Sequence, residues 1–84
     1  MASHYDRRAA PRVDTHLPVT IVHGGGVARD NGDVRNLSSI GAKIAVEAAE
    51  GLPEQFYLLL PEHRMEACKV VWRNQHEMGV AFQA

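Results

Sequence analysis

Three arginines, Arg7, Arg8 and Arg12, stand in the stretch DRRAAPR, just ahead of the chain's first apolar run. Three guanidinium groups within six positions form either a solvated basic arm or a site for an anion, and this segment alone leaves both open. A second candidate lies in VRNLSSIG, residues 34–41, where Asn36, Ser38 and Gly41 stand at offsets 0, 2 and 5. Alternation along a strand would turn Asn36 and Ser38 to one side, so that an amide and a hydroxyl converge. Gly41 would allow a bulge or a close backbone approach where a side chain would obstruct a ligand. Asn, Ser and Gly are also ordinary turn residues, so the pattern alone has little specificity.

Other chemistries find less support. The histidines, His4, His16, His23, His63 and His76, show neither HxxxH nor HExxH spacing. His63 and His76 each adjoin a glutamate in polar segments and read as solvated turn residues. Ser38 and Ser39 lack a GxSxG context. The triplet Gly24-Gly25-Gly26 is not followed by Lys-Ser/Thr, so it reads as a loop rather than a phosphate cradle. Cys68 is the single cysteine; it can form neither an intramolecular disulfide nor a CxxC pair, and its setting in a strand predicts a buried thiol. The expectation is a binding protein rather than an enzyme, with no catalytic residues, no metal and no cofactor.

Strands must position these residues. Leu17, Val19 and Ile21 alternate with period two. The following HGGGVARDNGD reads as a loop with a hairpin-type turn at Asn31-Gly32. Ile40, Ala42, Ile44 and Val46 share one face of a strand; AKIAVEAAE also holds good helix formers, but Gly41 and the β-branched Ile44 and Val46 favour the strand, with EAAEG turning helically. QFYLLL between Pro53 and Pro61 reads as a buried strand. Met65 to Trp72 forms another, with Trp72 in the core, and Met78, Val80 and Phe82 alternate in a last one. Six short strands favour closure into a small antiparallel β-barrel, all-β in class, because closure removes exposed edges.

The chain has 84 residues, room for one domain, and a formal net charge of −1. That near-neutrality speaks against non-specific binding to DNA or to acidic membranes. MASHYDRR holds no apolar core of a signal peptide, and no stretch approaches the ~20 apolar residues of a membrane helix, so a cytoplasmic protein without membrane insertion is expected. Residues 1–12 read as a flexible arm and 13–84 as the barrel.

RxxxR at 8–12 followed by NxSxxG at 36–41 resembles the PilZ domain family, and KVVWRNQHEMGVAF, residues 69–82, resembles its last two strands. The resemblance covers residues 6 to 83. It implies a six-stranded antiparallel barrel and a receptor site for cyclic di-GMP, a bacterial second messenger, formed by Arg8 and Arg12 with Asn36, Ser38 and Gly41; Arg7 would be an additional basic contact. Arginine suits this ligand because its fork pairs with guanine O6 and N7 or with phosphate, and its flat face stacks on a purine. Many relatives continue into a C-terminal helix, which this sequence lacks. The function implied is a cyclic di-GMP receptor or adaptor that changes its surface for an unidentified effector protein. The alternative is a PilZ-like interaction module that does not bind the nucleotide.

Overall fold

Apolar side chains at every second position decide where the strands run. Val19 and Ile21, Ala42 and Ile44, Phe56, Leu58 and Leu60, and Met78 and Val80 are all buried, while their sequence neighbours face outward. A computed structural model describes residues 13–83. They form six strands: β1 (Val13–His23), β2 (Ala28–Leu37), β3 (Gly41–Val46), β4 (Gln55–Leu60), β5 (Arg64–Arg73) and β6 (Glu77–Phe82). As expected from the sequence, the six strands close into an antiparallel barrel; their order around it is β1-β2-β3-β6-β5-β4.

The core is the barrel interior. Ile21, Val34, Ile44, Leu58, Cys68 and Met78 are its fully buried side chains. Each large aliphatic side chain there contributes about 1.5–3 kcal/mol through removal from water. At one end a 3₁₀ turn, Ala49–Gly51, links β3 to β4. One Arg73 Nη donates to the carbonyls of Ala49 and Leu52 at 2.9 and 2.6 Å, fastening that turn to β5. At the other end the Phe82 N–H donates to the Ile40 carbonyl at 2.8 Å, and the Arg64 guanidinium lies 5.6 Å from the Phe82 ring centroid.

Ile40, expected on the inner face with Ala42 and Ile44, lies ahead of β3 and is exposed. Two larger expectations are also corrected. The β1–β2 turn is Gly24–Val27, not Asn31-Gly32, and Ala28 to Asp33 belong to β2 rather than to a loop. Gly24, Gly25 and Gly26 all have positive φ, which suits glycine and places the reversal there. Gly32 is instead a strand position facing inward; a β-carbon on it would come within 3.0 Å of Ile44 Cγ2 and 3.4 Å of Ile21 Cδ1. Its missing side chain makes room for two isoleucines.

Trp72 is the second correction. It is 44% exposed and not in the core. Val70 pairs with Val80 and Trp72 with Gly79, so Val71 is an extra residue on β5. That bulge breaks the alternation and moves Trp72 from the inner face to the outer one.

Candidate functional site

The same device sets Asn36. Val34, inside the barrel, pairs with Ile44, and Asn36 pairs with Lys43, which leaves Arg35 unmatched on β3. On the other side Asp14 pairs with Asn36 and Leu17 with Val34, so Thr15 and His16 together face Arg35. Without the bulge Asn36 would share the inward side of Val34. With it Asn36 faces outward and Leu37 packs against the core. Arg35 itself donates from Nε to Asp33 at 2.6 Å, and His16 Nδ1 lies 3.2 Å from the same carboxylate oxygen.

Ser38 does not continue the strand, and it does not share Asn36's strand face. It opens the β2–β3 turn, where its N–H donates to the Gly41 carbonyl at 2.9 Å. Its hydroxyl accepts from the Ile40 N–H at 3.2 Å and lies 3.3 Å from the Gly41 carbonyl. Ser38 is therefore half-buried and committed to shaping the turn that follows Asn36. Gly41 permits a close approach, but to the barrel itself: a β-carbon there would overlap the Val80 carbonyl oxygen of β6. Arg7, Arg8 and Arg12, like the arm expected over 1–12, lie outside the described residues.

Pairing across four strand interfaces lines up Asp14, Asn36, Lys43, Gly79 and Trp72 in one row around the barrel. At the usual strand spacing this row is roughly 19 Å long. The Trp72 indole lies on Gly79, where a β-carbon would overlap its Nε1, Cε2 and Cδ1. The adjacent row is Gly41, Ala81, Lys69 and Gln55. The outer surface of β3 and β6 is thus a low floor of Gly41 and Ala81, with Gly79 covered by the indole. Asn36, Lys43, Lys69 and the indole surround it. Lys43 Nζ sits 3.5 Å from Glu77, which partly offsets its charge.

Sequence reasoning missed Trp72 and the two lysines as members of this surface. Their membership depends on the Val71 bulge and on which strands pair, and neither is encoded in local periodicity. The signal within reach was Gly79, a residue without a side chain inside an otherwise apolar strand.

Charge is unevenly distributed. Residues 1–12 hold three of the nine cationic side chains and one of the ten anionic ones; the remainder holds six against nine. The barrel is net acidic, and the basic excess precedes Val13.

The thiol offers no competing chemistry. Burial, and secondarily the Glu66 carboxylate, push Cys68 up to about 12, and its Sγ donates to the Glu66 carbonyl at 3.6 Å. It is inert in the folded state. Among the described residues no three His, Cys, Asp or Glu side chains cluster as a metal site would require. No described helix is long and apolar enough to cross a membrane.

No curated protein matches the sequence. The PilZ domain family matches over residues 6–84, a span that takes in both motifs and every strand of the barrel. The closed six-stranded architecture, the asparagine turned outward ahead of its serine-shaped turn, and the match over nearly the whole length agree: the chain belongs to the PilZ domain family, which as a class comprises binding modules that serve as receptors for cyclic di-GMP.

Proposed function

We propose that this domain binds cyclic di-GMP on the outer face of β1, β2, β3 and β6, using Arg7, Arg8 and Arg12 together with Asn36 and the turn built by Ser38 and Gly41. One observation carries the reading. Val13 pairs with Leu37 and Asp14 with Asn36, so the chain enters the barrel beside the second motif. Arg12 is one residue before Val13, a Cα step of ~3.8 Å, and Arg8 is at most about 18 Å from Val13 along the chain. Both are within reach of the row that starts at Asn36.

The chemistry divides among these groups. The arginines supply the positive charge that the acidic barrel lacks, and they grip phosphate oxygens or the guanine O6/N7 edge. Asn36 offers both a donor and an acceptor to a base edge. The low Gly41 and Ala81 floor lets a flat dinucleotide lie close to the sheet. The Trp72 indole gives a base a stacking surface, while Lys43 and Lys69 face the phosphates. Asp14, opposite Asn36, can orient a guanidinium from the arm. Bound ligand would hold residues 7–12 against the barrel and so alter the surface offered to an effector protein in the bacterial cytoplasm.

Calorimetric titration with cyclic di-GMP, beside GTP and cyclic di-AMP, tests this. Saturable heat for cyclic di-GMP alone is expected, and Arg8→Ala or Arg12→Ala should each weaken binding by ~1–3 kcal/mol. No heat, with no amide shifts at Asn36, Ser38 and Trp72 at high ligand concentration, would overturn the proposal. Unchanged affinity in both arginine variants would move the site elsewhere.

A further inference from the structure

The two ends of the barrel are finished differently. At one end the β3–β4 connection folds back over the interior: Ala49 and Leu52 are buried there, and Arg73 fastens the turn. No described segment covers the other end, where β1 starts, β6 stops, and the β2–β3 and β4–β5 turns reverse the chain. Inward-facing positions run on past the core here. Leu17, Leu37 and Phe82 pack against it but are only partly buried. Val13 pairs with Leu37, and the Ile40 carbonyl accepts from the Phe82 N–H, so both continue the inner set. Yet Val13 is 63% exposed and Ile40 53%. Arg64, paired with Glu66, lies over the Phe82 ring and shields part of it. An apolar mouth of this kind marks a docking surface.

What covers it follows from where the chain begins. Residues 1–12 join the barrel at Val13, on the rim of this mouth. Tyr5 is the one large apolar ring among them. The eight steps from Tyr5 to Val13 span at most about 28 Å, ample for the chain to fold back over the opening. A tyrosine can bury its ring there and leave its hydroxyl in water. Charge agrees. The segment carries Arg7, Arg8 and Arg12 against Asp6 alone. Asp14 follows Val13 on the rim and Glu62 stands in the β4–β5 turn; neither pairs with a described cation. Tethering holds the segment at an effective concentration on the order of millimolar, so a weak contact suffices. A second copy fits poorly, because a two-fold pairing of the mouth sets one acidic rim against the other.

We infer that residues 1–12 close this end of the barrel, the Tyr5 ring seated on Val13, Leu37, Ile40 and Phe82, with Arg7 and Arg8 facing Asp14 and Glu62. The docking stands apart from the nucleotide reading and survives that reading's failure.

The test follows the intact chain by NMR with no nucleotide present. Nuclear Overhauser contacts are expected from the Tyr5 ring to the Val13, Leu37 and Ile40 methyls and to the Phe82 ring. Tyr5→Ser should shift the amides of Val13, Leu37, Ile40 and Phe82 and leave those of Ala49 and Leu52, at the closed end, in place. Arg7→Glu with Arg8→Glu should move the same amides part of the way toward their Tyr5→Ser positions. The docked-to-free ratio should fall about fivefold, as the loss of two exposed ion pairs would give. Mouth amides that do not respond to Tyr5→Ser would overturn the inference, as would Tyr5 contacts to Tyr57 or Met65 on the outer surface. So would a dimer that Ile40→Glu disperses in sedimentation, which would assign the mouth to a second copy.

Discussion

The two sides of this barrel are built by different rules. Where β4 meets β1 and β5, and where β3 meets β6, the register runs without a break. Where β1 meets β2, β2 meets β3 and β5 meets β6, each pairing carries a shift. On β4 the regular side alternates strictly, apolar residues inward, and its outer face is what that alternation leaves over. The irregular side uses extra residues at Arg35 and Val71 to turn Asn36 and Trp72 outward. Unbroken pairing suits stability, and interrupted pairing suits aiming side chains.

Substitutions on the two sides should therefore separate stability from binding. The largest effect belongs to the regular side. Phe56→Ala should cost about 3–5 kcal/mol in urea unfolding, because Phe56 is buried and its neighbours cannot close the gap. Equal losses from Phe56→Ala and Asn36→Ala would dissolve the distinction. Gly41→Val comes next. Its β-carbon meets the Val80 carbonyl, a backbone atom that cannot step aside, so a loss of about 1–3 kcal/mol is expected in the same measurement with no ligand present.

Trp72→Ala sharpens the contrast from the other direction. Unfolding should change by less than about 1 kcal/mol, whereas cyclic di-GMP affinity, read by calorimetry, should fall by about 1–3 kcal/mol if a base stacks there. A stability loss as large as that of Phe56→Ala would return Trp72 to the core.

The last effect is a pH slope confined to the interior and to alkaline conditions. The folded Cys68 thiol is raised from 9.0 to about 12, so between those values the unfolded chain releases a proton that the folded one keeps. Stability should fall as pH rises through that window, by no more than about 1.4 kcal/mol per pH unit, and Cys68→Ala should flatten the slope. A thiol reagent at pH 8 should leave the folded chain unmodified and label it in urea.

Legibility in the sequence follows the same division. QFYLLL could be read as a strand because it is a short, continuous apolar run between two prolines. The closed barrel followed from six such short segments. Ala28 to Asp33 could not be read this way. Their outward positions are polar, and Gly32, which looked like half of a turn, is a gap filled by Ile21 and Ile44. Asn36 and Ser38 were legible as polar groups in a motif. Their different duties were not, because outward aim comes from a bulge and turn shape from hydrogen bonds, and both depend on partner strands. Trp72 was misplaced for the same reason.

Gly41 makes the motif unequal in what maintains it. The barrel needs that glycine to bring β3 against β6, and it needs Ser38 to turn the chain, whether or not a nucleotide ever arrives. Asn36 has no such duty. On the proposed reading, a descendant that abandoned the messenger would lose Asn36 and the arginines first and keep Ser and Gly as scaffolding. The asparagine and the arginines would then be the record of use, and the glycine is the record of folding.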